Sequence, residues 1–301
     1  MARRLNVEAA WMTGPGNVQK IGVAALACAL AMALVDVRLA LIPVFLYLLL
    51  CLTAPFLFRF GFYVPVISHG RTGQRVVALT FDDGPDPATT PHLLRLLAAY
   101  GAPATFFVVG KRAAVYPELI KAILDGGHTI GNHSFRHDAL VGFRGAAKIS
   151  AEILPVQQLL EGMGVTPMVF RPPVGVTYPG LRRVLDGLGL VAVTFNCRAL
   201  DRGNRSIGRL AERILERVRP DGIIMLHDHL PLGSRADLPL WLAEVEAVLA
   251  GIPRKGLAFR PLSELIGRPV DCRQGQPPHI GETGPADNCA SIGDRKPDSR
   301  Q

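Results

Sequence analysis

The chain has 301 residues, 49% of them hydrophobic and 19% charged, enough for one large domain with extensions and more apolar than a typical soluble domain. Its net charge of +8 is not gathered into a lysine- and arginine-rich block with interleaved aromatics, so no nucleic-acid partner is expected. Five cysteines without CxxC spacing indicate neither a cysteine metal site nor a disulfide framework.

The apolar excess lies near the start. Residues 21–58 carry only two charges, Asp36 and Arg38. Leu39–Phe58 is free of charge, and at 1.5 Å per residue its length matches a hydrocarbon core of about 30 Å. It predicts a transmembrane helix, in which Pro43 is tolerated. Residues 21–35 leave three readings open: a short first span, a signal-like region behind Arg3, Arg4 and Lys20, or a helix along the membrane surface. A charged pair at bilayer depth is costly, which favours a turn near residues 36–38. Positive charges on both flanks fit a hairpin with both ends in the cytoplasm, whereas a single span carries the rest of the chain outside. Residues 1–20 are therefore read as a cytoplasmic segment and 21–60 as the membrane region, with lipid as a partner and the side of the soluble domain open.

After a connector over 59–75, apolar runs rich in β-branched and aromatic residues recur: VVALTF (76–81), ATFFVV (104–109), HTIGNH (128–133), MVFR (168–171), LVAVTF (190–195), GIIMLHD (222–228) and GLAFR (256–260). Stretches with apolar residues three and four apart lie between them, as on amphipathic helices. Strands alternating with helices predict a parallel sheet, and seven units predict an open or distorted barrel. Residues 271–301 have almost no large apolar side chains and are expected to form a disordered tail.

In such sheets functional side chains gather at the C-terminal strand ends. The first strand ends in TFDDGP, where adjacent Asp82 and Asp83 can take different tasks, or simply form a capped turn. The third runs into His133 and His137, which share a face if a helical turn begins there; two such histidines are a metal pair or a surface coincidence. The fourth ends in Arg171, able to hold a buried carboxylate, before Pro172, Pro173, Val174 and Gly175. The sixth ends in His227, a candidate general acid, with Asp228 and His229 read as loop residues.

Together these stretches resemble the polysaccharide deacetylase family, the NodB-homology type of carbohydrate esterase family 4. TFDDGP, HSFRH, RPPVG and MLH are similar to its first, second, third and fifth motifs, in order, and the resemblance covers roughly residues 70–270. It implies a distorted (β/α)7 barrel, preceded here by the membrane region. It also implies that Asp83, His133 and His137 hold a divalent metal, usually zinc. Asp82 would be the general base, Arg171 its holder, and His227 the general acid oriented by Asp201. The Val174 N–H would meet the oxyanion, with Arg202 and Met225 against the substrate. The fourth motif departs from the family: Phe195 stands for a tryptophan, Arg198 for an aspartate and Arg202 for a second tryptophan. These changes raise the expectation of an anionic group on the substrate.

The implied activity is hydrolytic removal of an N-acetyl group from a membrane-proximal polysaccharide or lipid-linked glycan, at either face of a bacterial inner membrane. The alternatives are O-deacetylation or deformylation of a glycolipid, and a non-catalytic carbohydrate-binding membrane protein.

Overall fold

The computed structural model describes residues 16–57, 60–231 and 237–273. Arg3, Arg4 and the expected tail beyond residue 273 lie outside them. The apolar region is two helices, α1 (Asn17–Ala33) and α2 (Val37–Thr53). The turn between them is set by Asp36, whose carboxylate accepts the Arg38 N–H at 2.8 Å and caps α2. They run antiparallel, since the Tyr47 hydroxyl near the end of α2 donates to the Val18 carbonyl near the start of α1. Gly22 makes room for that ring: a Cβ there would lie 2.9 Å from the Tyr47 hydroxyl. With the 3₁₀ turn that follows α2, Val37–Phe56 forms a helix of 20 residues, long and apolar enough to cross a membrane. The base of the hairpin docks on the rest of the chain: the Val18 N–H donates to Phe62 O and the Thr177 N–H to Pro55 O, both at 3.1 Å.

The soluble part opens with β1 (Val66–Ile67), inside the expected connector, so its sheet begins before residue 70. Then follow β2 (Val76–Asp82), α3 (Thr90–Ala99), β3 (Ala104–Val108), α4 (Gly110–Val115), α5 (Pro117–Asp125) and β4 (Thr129–Asn132). The middle of the chain supplies α6 (Ala146–Gly162), β5 (Val165–Pro167), β6 (Val169–Phe170), α7 (Leu181–Leu188), β7 (Val191–Val193) and β8 (Cys197–Arg198). Last come α8 (Leu210–Arg217), β9 (Gly222–His227), α9 (Leu238–Arg254), β10 (Ala258–Phe259), α10 (Leu262–Ile266) and β11 (Asp271–Arg273). The main sheet is parallel and runs β1-β7-β6-β4-β3-β2-β9-β8, with β10 beside the start of β2. It is a curled, open sheet, a half-barrel.

Strand periodicity divides the core. Val77, Leu79 and Phe81 of β2 pack with Leu93, Leu97, Trp241 and Val245 of the helices. Val76 and Ala78 face the other way, with Phe107, Val193, Phe195, Ile223 and Met225. The same alternation sends Thr80 and Asp82 of β2 and His227 of β9 to this inner face, and the register pairs Asp82 with His227. Strand β2 is buried along its whole length, which explains its nearly unbroken apolar sequence.

Two expectations are corrected. Residues 271–273 are not tail: β11 pairs antiparallel with β5, and the buried Asp271 carboxylate accepts the Ile130 N–H at 2.7 Å. A three-residue strand held by a buried polar bond leaves no apolar run to read. Cys272 is disulfide-bonded, although no disulfide framework was expected; a single bridge needs no repeated cysteine spacing.

Candidate active site

The two adjacent aspartates separate because the chain turns left-handed between them: Asp82 ends β2, and Asp83 sits at φ 71°. Asp82 Oδ1 accepts from Arg171 Nη1 at 2.6 Å. The fully buried Arg171 guanidinium also donates to Thr80 Oγ1 (2.7 Å), Val193 O (3.2 Å) and Thr194 O (3.0 Å), and its carbon lies 3.9 Å from the Phe107 ring centroid. Donors fanned over several acceptors make burial of this ion pair tolerable.

His133 and His137 do not share a helical turn, contrary to the sequence expectation. The chain leaves β4 as a bent loop, with Ser134 and His137 at φ 66° and 59°. Asn132 anchors this loop: its side-chain amide donates to Ile153 O and Gln157 Oε1 while its oxygen accepts the Ser134 N–H. The left-handed residues fold His137 back, so that its Nε2 lies 3.1 Å and that of His133 3.6 Å from Asp83 Oδ1.

One ligand atom from each of Asp83, His133 and His137 lies within 4.8 Å of the others. The donor set fits a divalent cation on three counts. Asp83 Oδ1 is buried without a hydrogen-bond partner. His133 Nδ1 donates to the Arg171 carbonyl at 2.8 Å, which leaves Nε2 as the lone pair facing Asp83. Burial, against the pull of Asp82, drives the His133 pKa down to about 4, so the ring is neutral as a ligand must be. Burial alone would raise the Asp83 carboxyl, but His137, His227, His133 and His229 hold it below its ordinary range.

Across from Asp82, His227 Nδ1 bonds Asp201 Oδ2 at 2.8 Å. Burial opposes charging of this ring, yet the hydrogen bond and charge of Asp201, with Asp83 and Asp82, raise its pKa to about 9. Asp201 lies in a contorted loop in which Leu200, Arg202 and Asn204 take φ of 58°, 57° and 59°. Asn204 pins it, its side-chain amide donating to His227 O and His229 O at 2.9 Å each.

All these ends open into one cleft of about 800 Å³. Asp82, Asp83, His133, His137, Asp201 and His227 line it, as do Val174, Arg202 and Met225, whereas Arg171 sits behind Asp82. Val174 has φ 49° and makes no backbone hydrogen bond through its N–H among the described residues.

Two groups escaped the sequence reading. Asp228 is fully buried, accepts from Thr89 and Thr90 hydroxyls at 2.6 Å each, and is lifted to about 7 by burial. A Cβ on Gly84 would lie 2.6 Å from its Oδ2, which explains the glycine of TFDDGP. His229 bonds Asp86 at 2.5 Å and takes Arg112 on its other side, at the rim of the cleft. The signal was in the sequence: a second acid and a second histidine directly after His227.

The family model for polysaccharide deacetylases matches residues 69–193. The peptidoglycan-N-acetylglucosamine deacetylase of Bacillus cereus is 30% identical over 195 residues, 64% of this chain and 89% of its own. The chitooligosaccharide deacetylase of a Bradyrhizobium species is 31% identical over 216 residues, 67% and 98% of the two chains. The chain belongs to the polysaccharide deacetylase family. The solved structure of the Bc1960 peptidoglycan N-acetylglucosamine deacetylase superposes with a TM-score of 0.62 at 26% identity, over 68% of this chain and 94% of that one. This member is a metal-dependent carbohydrate deacetylase, a hydrolase of carbon–nitrogen bonds, with the Asp83, His133 and His137 cluster as its candidate metal centre.

Proposed function

We propose that the protein removes the N-acetyl group from an amino sugar of a membrane-proximal glycan. The observation that carries this reading is the triad of Asp83, His133 and His137, with an orphaned carboxylate oxygen, set between Asp82 and His227 on adjacent strands. Two imidazoles and a carboxylate suit zinc, leaving positions open. When bound, such a cation polarises the acetyl carbonyl and makes water a better nucleophile.

The chain's own residues supply the rest. Asp82, held through Oδ1 by Arg171, takes the proton of the attacking water through Oδ2, the oxygen facing His133 at 3.9 Å. His227, protonated at neutral pH because Asp201 holds its Nδ1, gives its Nε2 proton to the leaving amine. The Val174 N–H, free of backbone bonds among the described residues, offers a donor to the oxyanion. Arg202 and Met225 wall the cleft where the sugar and acetyl group lie.

The hairpin supports a substrate near the membrane. Val174 at the cleft and Thr177, which bonds Pro55 in the 3₁₀ turn after α2, are three residues apart. The disulfide at Cys272 suits an oxidising compartment and favours the extracytoplasmic side, against the cytoplasmic side that the flanking positive charges favour for a hairpin. The test is acetate release from N-acetylglucosamine glycans by metal-loaded protein, together with mass spectrometry of cellular glycans and glycolipids. Loss of one acetyl group, confined to one molecule and dependent on Asp82, is expected. Folded, metal-loaded protein that releases no acetate from any of them overturns the reading.

A further inference from the structure

Among the described residues six cationic side chains line the cleft: Lys111, Arg112, Arg136, Arg198, Arg202 and Arg205. Among the described residues three carboxylates line it with them, Asp82 paired with Arg171, Asp83 in the candidate metal cluster and Asp201 bonded to His227. Two of the cations have acidic or imidazole neighbours, Arg112 at His229 and Asp86, Arg136 at Glu152. Arg198 lies over the Phe195 ring, 5.6 Å from its centroid. Lys111, Arg202 and Arg205 are exposed and make no side-chain hydrogen bond or ion pair among the described residues. They come from two segments flanking the β2–β9 pair in the sheet: Lys111 from the start of α4 after β3, Arg202 and Arg205 from the contorted loop after β8.

A cleft for a wholly neutral sugar gains nothing from this surplus, since like charges crowded in one concavity repel. The loop carrying Arg202 is also held in a sparsely populated backbone conformation at three non-glycine residues, and such strain persists where the surroundings enforce it. We propose that the deacetylase cleft binds its amino sugar beside a phosphate group, which Lys111, Arg202 and Arg205 grip from two sides. A carboxylate offers two oxygens in one plane, best met by a single arginine. A phosphate or diphosphate spreads its charge over oxygens pointing several ways and accepts from several separated donors. This inference rests on the deacetylase reading and names the substrate class of the same cleft.

The test compares kcat/KM of the full chain, metal-loaded and in detergent, on four substrates. These are an N-acetylglucosamine disaccharide, its 1-phosphate, the polyprenyl-diphosphate-linked disaccharide, and a disaccharide bearing a uronate in place of the phosphate. The phosphorylated substrates are expected to exceed the neutral one by about tenfold or more. That ratio is expected to fall toward one in the variant Lys111→Ala/Arg202→Ala/Arg205→Ala and at high salt, with the variant's melting temperature close to wild type. Preference for the polyprenyl substrate alone assigns the phosphate to a lipid carrier; equal preference for both assigns it to the phosphate itself. A ratio near one in the wild type, a ratio unmoved in the triple variant, or a uronate substrate equal to the phosphorylated ones overturns the proposal. Calorimetric binding of the disaccharide 1-phosphate separates this inference from the reading it rests on. If no substrate turns over but the phosphate ligand binds wild type and not the variant, deacetylation fails and the phosphate site stands. If it binds neither or both alike, the phosphate site fails.

Discussion

Arg171 Nη1 lies 2.6 Å from Asp82 Oδ1, with the guanidinium wholly shielded from solvent. The pair ties the loop after β6 to the end of β2 and fixes which Asp82 oxygen faces the cleft. Removing one partner leaves an uncompensated buried charge. Arg171→Met is therefore expected to lose about 3–5 kcal/mol of stability. Arg171→Lys retains the charge but lacks the planar fork that reaches Thr80, Val193 and Thr194. Denaturant unfolding of both variants checks this; wild-type stability in Arg171→Met would mean the pair does not organise the site.

The metal centre is expected to fail as a unit. Asp83→Asn and His137→Ala each remove one of the three ligand groups. Metal analysis after dialysis should find about one divalent ion per wild-type chain. Affinity in either variant should fall by more than the ~10–100-fold typical of losing a group behind a ligand. Full metal content in both would place the ion elsewhere.

The pH profile should carry the mark of Asp201. A pKa raised to about 9 keeps His227 protonated below that pH and strips it above, so acid catalysis fades on the alkaline side. A bound cation pulls this limb lower. In Asp201→Asn the ring returns toward about 6.5, so at pH 8 its protonated share drops about thirtyfold. The expected profile has its alkaline limb displaced downward by two or so pH units. A limb that stays in place would remove His227 as the acid.

The hairpin makes a prediction about membranes. Leu41 and Phe45 are exposed on α2. A lysine at the centre of a span costs about 2.5–3.5 kcal/mol, so Leu41→Lys/Phe45→Lys should move the protein out of the carbonate-resistant membrane fraction. Retention there would mean that α2 does not cross. An alkaline phosphatase fused after Gln301 should be active if the Cys272 disulfide reports an oxidising side.

Strand existence was readable where strands are long and buried on both faces. The runs at Val76–Asp82 and Gly222–His227 announce themselves, and their ends carry Asp82 and His227. Two-residue strands such as Val66–Ile67 leave no periodic trace, so the start of the sheet was missed. The pairing of His133 with His137 was visible as a spacing, but its cause was not. Left-handed residues at Ser134 and His137 do the folding, and neither residue type announces such a backbone. Asp228 was passed over because its partners, Thr89 and Thr90, stand far away in the chain and meet it only once β2 and β9 are side by side.

The most direct test of the account is acetate release by the metal-loaded full chain from neutral and phosphorylated N-acetylglucosamine substrates, read with the mass of the product. Equal amounts of acetate and of a free amine about 42 mass units lighter than the substrate are expected, abolished by a chelator and by Asp82→Asn. Release that survives both, or none from folded and metal-loaded protein on any substrate, would contradict it.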